Sequence, residues 1–152
     1  MTMDEILKEA IQGEIESYEL YTGAVEMVET EHIKDLLREL AQEEQGHRAA
    51  LEKMLANPAG IPGQIQRLQA EPVEDYKIAD HLVARPLGPG ATFQEVCIFA
   101  AKKEQQSYQL YSGLAAGSEG EARDLLEAMA KDELRHKNLV EGWYEELVYQ
   151  EF

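Results

Sequence analysis

The sequence predicts an all-α protein, a four-helix bundle made of two duplicated helical hairpins joined by a long crossover. Three observations carry that expectation. Apolar residues recur at alternating steps of four and three near both ends of the chain, the period of a core-facing helical stripe. Capping signals stand ahead of the periodic segments. The two periodic blocks also repeat one another, around a middle section of different composition.

The first helix is expected over 3–29, behind Thr2 with Glu5 three residues on, the spacing of a capping box. A second should span 31–56 behind Thr30, a weaker N-cap because Ile33 stands where Glu or Gln would complete the box. Residues 57–91 hold all five prolines and several of the glycines, too much punctuation for a continuous helix. They read as a crossover with a short helix around Ile65–Gln69 and an extended piece near Tyr76–Val83. Thr92 with Glu95 and Ser118 with Glu121 open the last two helices, over 93–117 and 119–148. All 152 residues fit one domain, with hairpin 1 over about 3–56 and hairpin 2 over about 92–148.

The duplication is explicit. "EIESYELYTG" at 14–23 matches "EQQSYQLYSG" at 104–113, and "DLLRELAQEEQGH" at 35–47 matches "DLLEAMAKDELRH" at 124–136. Glu14, Ser17, Tyr18, Leu20, Tyr21 and Gly23 recur in the first pair, and Asp35, Leu36, Leu37, Ala41, Glu44 and His47 in the second.

Composition narrows the function. Fourteen basic residues against thirty acidic ones give a formal charge of −16, which repels nucleic acid and anionic membranes and draws in cations. No apolar run approaches the roughly 20 residues that cross a bilayer. The opening "MTMDEILKEA" is acidic where a secretory leader is basic, so a cytoplasmic protein is expected. The single cysteine, Cys97, excludes an internal disulfide and a cysteine-rich metal site. It occupies the repeat position of Leu7 and should be a buried core thiol.

The stripes contain the chemistry. They run Leu7, Ile11, Glu14, Tyr18, Tyr21, Val25, Val28 in the first helix and Leu40, Glu44, His47, Leu51, Met54 in the second. The third gives Cys97, Ala101, Glu104, Tyr108, Tyr111, and the fourth Met129, Glu133, His136, Val140, Trp143, Leu147. Each carries one glutamate, joined in the second and fourth by a histidine three residues later. Residues three apart on a helix share a face, about 4.5 Å apart along the axis. Packing the helices should therefore bring together Glu14, Glu44, His47, Glu104, Glu133 and His136. Four carboxylates buried without counter-charge would cost roughly several kcal/mol each, or would have to protonate. Two divalent cations remove that cost. A Glu from each of two helices and a Glu-x-x-His from each of the other two is the known pattern of di-iron and di-manganese carboxylate bundles. Carboxylate and imidazole suit iron(II) and manganese(II) and accept zinc.

Other polar residues fit the pattern less well. His32 and His81 lack partners at ligand spacing and are expected to be non-ligands; Glu43 and Asp132 lie one position off the stripes. Tyr21 and Tyr111 follow Glu14 and Glu104 by two turns on the same face. Their hydroxyls are candidates to hydrogen-bond a ligand carboxylate and orient it. Tyr18 and Tyr108 read as aromatic core packing.

On "GEIESYELY", "EEQGH", "KKEQQSYQLY" and "DELRH", with "DYKIADHLV" in the crossover, the chain resembles the rubrerythrin-like branch of the ferritin-like superfamily. The resemblance implies a ferritin-like bundle holding two iron ions per chain, commonly assembled as a homodimer. It implies a peroxidase-type oxidoreductase that reduces hydrogen peroxide. Rubrerythrins carry a four-cysteine rubredoxin domain that has no counterpart in these 152 residues, so electrons are expected from a separate rubredoxin-like donor. They also place a further carboxylate three residues after the third-helix glutamate; here that position is Ser107, mirrored by Ser17. Two other readings stay open: a ferroxidase that oxidises Fe(II) with dioxygen, and a non-catalytic bundle stabilised by metal.

Overall fold

The computed structural model describes residues 2–70 and 72–150, with side chains described as far as residue 146. Five α-helices are present among them: α1 (Met3–Val25), α2 (Glu31–Ala56), α3 (Ile61–Gln69), α4 (Phe93–Ala116) and α5 (Gly120–Gln150). No strand occurs among the described residues. The chain is all-helical, as its sequence predicts, and divides into two compact units. One comprises residues 1–62 and 87–92, the other residues 63–86 and 93–152.

The first unit is the antiparallel pair α1 and α2. The Thr2 hydroxyl accepts from the Glu5 amide, and the Glu5 carboxylate reaches back to the Thr2 amide, completing the expected capping box. Thr30 is extended and gives α2 no side-chain cap, matching its weaker signal. α1 ends four residues before the expected boundary: the Glu26 and Met27 amides bond to the carbonyls of Gly23 and Ala24, tightening the chain out of the helix. Val28 is nevertheless buried, so the stripe outlasts the helix.

That stripe is rotated from the expected line. Leu7, Glu14, Tyr21, Val25 and Val28 are buried as predicted, but Ala10, Ser17 and Ala24 are buried beside them while Ile11 and Tyr18 are only half-buried. Small residues on the contact line let the helix backbones approach, and the larger ones flank it.

Two proline-bearing stretches of the crossover explain themselves locally. In Gly88–Ala91 the Ala91 amide bonds to the Gly88 carbonyl, with Pro89 and Gly90 between them. Gly90 has φ of +75°, so this is a type II turn in which glycine is required, and its amide bonds to the Met27 carbonyl. α3 begins at Ile61, earlier than expected, following a 3-10 turn opened by Pro58.

The second unit is the antiparallel pair α4 and α5 with residues 63–86 laid on it. The extended piece expected near Tyr76–Val83 is not formed; a 3-10 turn runs Ile78–His81 instead, after Lys77 at φ of 57°. The Asp75 carboxylate accepts from the Lys77 amide at 2.9 Å, and this local bond competes with an extended run. Ser118 does not act as the fourth helix's cap as predicted. Its hydroxyl donates to the Leu114 carbonyl behind it, and α5 starts at Gly120, φ +65°.

α5 buries two faces. Met129, Glu133 and Val140 lie on the predicted stripe, with His136 and Trp143 half-buried; Leu147 falls outside the residues whose side chains are described. A second buried line, Ala130, Leu134, Lys137 and Glu141, was not expected.

Candidate metal centre

In the first unit the predicted ligands come together. Glu14 on α1 and Glu44 on α2 are buried, with His47 half-buried one turn beyond Glu44. These three residues each offer a ligand atom within 4.8 Å of the others. The His47 Nδ1 stands 3.5 Å from the Glu14 Oε1. The other Glu14 oxygen, Oε2, is buried and has no hydrogen-bond partner.

Burial above all, with the neighbouring Glu44, pushes the Glu14 carboxyl from its ordinary 4.5 up to about 8 against the opposing pull of His47. A carboxyl raised that far favours its protonated form at neutral pH when no cation neutralises it. A divalent cation among the three would displace that proton and engage the orphaned oxygen. The residues fit a metal on those grounds: two hard carboxylates and one imidazole, with no thiolate.

The second unit repeats the arrangement. Glu104 on α4 and Glu133 on α5 are buried, and the His136 Nδ1 lies 4.0 Å from the Glu104 Oε1. Glu133 sits one turn before His136 on the same face of α5; among the described residues it joins no trio as tightly convergent as that of the first unit.

Tyr21 and Tyr111 are buried at their expected positions, two turns beyond Glu14 and Glu104. Tyr18 and Tyr108 are half-buried. His32 and His81 are exposed and belong to no convergent group among the described residues. Glu43 and Asp132 are half-buried beside the stripes. Cys97 is buried, and burial pushes its thiol up to about 12, which leaves it an inert core residue.

These features match a family. The family model for rubrerythrin matches residues 5–142. The chain belongs to the rubrerythrin family. Its all-helical architecture is that of a ferritin-like helical bundle, and rubrerythrins typically bind iron. Neither curated proteins nor solved structures gave a match. Among the described residues no helix is long and apolar enough to cross a membrane.

Sequence reasoning missed a polar cluster beside the candidate ligands in the second unit. Lys137, fully buried, donates to Asp75 at 2.6 Å and pairs with Glu141 at 3.2 Å, and the Glu141 Oε2 accepts the Ala79 amide at 2.5 Å. Burial pushes Asp75 up, but hydrogen bonds from Lys137 and the Lys77 amide outweigh it and hold the carboxyl below its ordinary 3.8. Burial lowers Lys137, and Asp75 and Glu141 overcome it, so the ammonium stays charged. The signal was present: Lys137 and Glu141 are four apart and continue the line of Ala130 and Leu134.

Proposed function

We propose that this protein is a di-iron peroxidase, reducing hydrogen peroxide with electrons from a separate rubredoxin-like donor and working as a homodimer. In this reading each chain holds two iron ions, and Glu14, Glu44 and His47 from one hairpin and Glu104, Glu133 and His136 from the other are the ligands. Membership of the rubrerythrin family supports the choice of metal. The observation that carries the reading is the convergent Glu14–Glu44–His47 trio with its raised carboxyl and orphaned Glu14 oxygen.

When bound, the iron pair supplies the electrons and the Lewis acidity that peroxide reduction needs. The protein's part is derived from its residues. The carboxylates balance the cation charge, and the apolar stripes on either side, such as Leu40 and Leu51 on α2, limit the entry of bulk water. In this reading the Tyr21 and Tyr111 hydroxyls hold a ligand carboxylate in one orientation, which tunes its basicity.

Elemental analysis of anaerobically purified protein tests the metal assignment: about two irons per chain are expected. Single-turnover oxidation of the reduced protein by peroxide then tests the activity. Glu133→Ala should abolish it, and an unchanged rate in that variant defeats the assignment. Turnover of excess Fe(II) with release of Fe(III) would instead identify an iron-handling protein.

A further inference from the structure

The likeness of the two hairpins breaks down along one face of the second unit, and a groove lies where it does. It runs between α4 and α5, bounded on one side by Gln69 and Val73 of the crossover, with a volume of about 430 Å³. Its floor is apolar, formed by the buried Ala115, Ala130 and Leu134. Carrying the repeat register along each helix shows what made the space. Ala115 and Ala116 stand where the end of α1 has Val25 and Glu26, so two small side chains replace larger ones. Lys131 and Leu134 stand where α2 has Gln42 and Gln45, so a cation and an apolar group replace two neutral polar ones. The glutamates and histidines of the candidate metal centre, by contrast, are the same in both hairpins.

The charges in the groove point to its occupant. Glu127 accepts from Arg123 at 3.0 Å, so those two groups satisfy one another at one end. Lys131 is half-buried and donates to the carbonyl and side-chain oxygens of Gln69, at 3.3 and 3.4 Å. Both are long bonds to uncharged acceptors, and a carboxylate beside the ammonium would make a shorter, stronger, charge-assisted one. A chain of net charge −16 offers an anion no general attraction, so binding has to come from this cation and from apolar contact together. We propose that the groove binds a small amphipathic carboxylate, its head at Lys131 and its apolar tail along Ala115, Ala116 and Leu134. The volume lies within the range of small-molecule pockets, about 300–1,000 Å³. None of these residues is a candidate metal ligand, and the inference stands apart from the di-iron reading.

Calorimetric titration of the full chain with octanoate tests this, with acetate as a probe of the charge alone and 1-octanol of the tail alone. Octanoate should bind saturably at a single site per chain, and each of the other probes about tenfold more weakly or less, the scale of one hydrogen bond to a charged group. Lys131→Gln and Ala116→Glu, which restore the first hairpin's residues, should each weaken octanoate binding by about tenfold or more. Arg67→Gln, which removes an exposed crossover cation outside the groove, should leave it unchanged. Circular dichroism and the metal content of each variant check that the fold and the metal centre are intact. Octanoate binding indifferent to both groove variants would overturn the proposal. So would octanol binding as tightly as octanoate, or acetate competing on equal terms, which would place the anion at a metal. Uptake of many octanoates per chain without saturation is surface adsorption and would overturn it too. Sedimentation at falling concentration checks a different occupant: octanoate that binds only as a dimer dissociates would show that a second copy fills the groove, and the proposal would fall. Each of these outcomes leaves peroxide turnover, and with it the di-iron reading, to be judged separately.

Discussion

Arg48 with Glu52 and Lys137 with Glu141 occupy matching positions in the two hairpins, each pair four residues apart and starting immediately after a candidate ligand histidine. Their surroundings differ. The first pair is about half exposed, at 44% and 50%; the second is sealed, at 0% and 1%, beneath residues 63–86 of its own unit. An exposed pair of this spacing contributes about 0.3–0.5 kcal/mol, because water screens it and two long side chains lose freedom. A sealed pair cannot be broken so cheaply, since whichever partner remains is left as a charge with no solvent. What a cover of chain does to the pair, and not the pair itself, decides its energetic weight.

The largest expected effect breaks that comparison directly. Lys137→Met leaves Glu141 and Asp75 facing each other without a cation, and should cost about 3–5 kcal/mol of unfolding free energy. Arg48→Ala should cost less than about 1 kcal/mol. Urea denaturation of the two metal-free variants measures both. Comparable losses would mean that the cover over Lys137 contributes nothing.

A second contrast concerns the proton on Glu14. Its folded pKa, about 8, lies above the ordinary 4.5, so between those values the folded state binds a proton that the unfolded state has released. Stability of the metal-free protein should therefore be greatest below about pH 4.5 as far as this group is concerned, fall as pH rises to about 8, and level off beyond. The fall should be on the order of a few kcal/mol. Glu14→Gln should flatten the profile across that window. Saturating metal should do the same, since the cation takes the proton's place.

Asp75 has the opposite sign. Its folded pKa is depressed, so its contribution is present above its ordinary 3.8 and disappears as pH falls through the lower folded value. Asp75→Asn should cost about 1.5–3 kcal/mol at neutral pH, the scale of a hydrogen bond to a charged group. The variant and the parent should converge in strong acid. A difference that persists at pH 2 would show that packing, and not charge, holds the crossover down.

Much of this was legible beforehand. The duplicated blocks disclosed both hairpins and all six candidate ligands, because buried carboxylates at matching positions of a repeat have no ordinary structural use. The same periodicity misplaced the α1 contact line, because it weighted Ile11 and Tyr18 by hydrophobicity although close helix contact favours the smaller Ala10 and Ser17. The second buried face of α5 went unread for the converse reason. Two of its members, Lys137 and Glu141, belong to residue types that normally mark solvent, and only the folded crossover supplies the partners that make their burial affordable. Helix ends were misjudged where a side chain had a second option, as with the Ser118 hydroxyl that turns back to Leu114.

The smallest effect sharpens the comparison at a single position. Gly46 precedes His47 where Arg135 precedes His136, and a Cβ built on Gly46 meets nothing within 4 Å. The residue is exposed in the middle of α2, with no positive φ to explain a glycine. Glycine there costs backbone entropy without giving anything in packing, so Gly46→Ala should raise stability by about 0.5–1 kcal/mol. Urea denaturation of the metal-free variant measures the gain. No gain would show that the glycine answers a constraint on α2 beyond backbone entropy, although a Cβ there meets nothing within 4 Å.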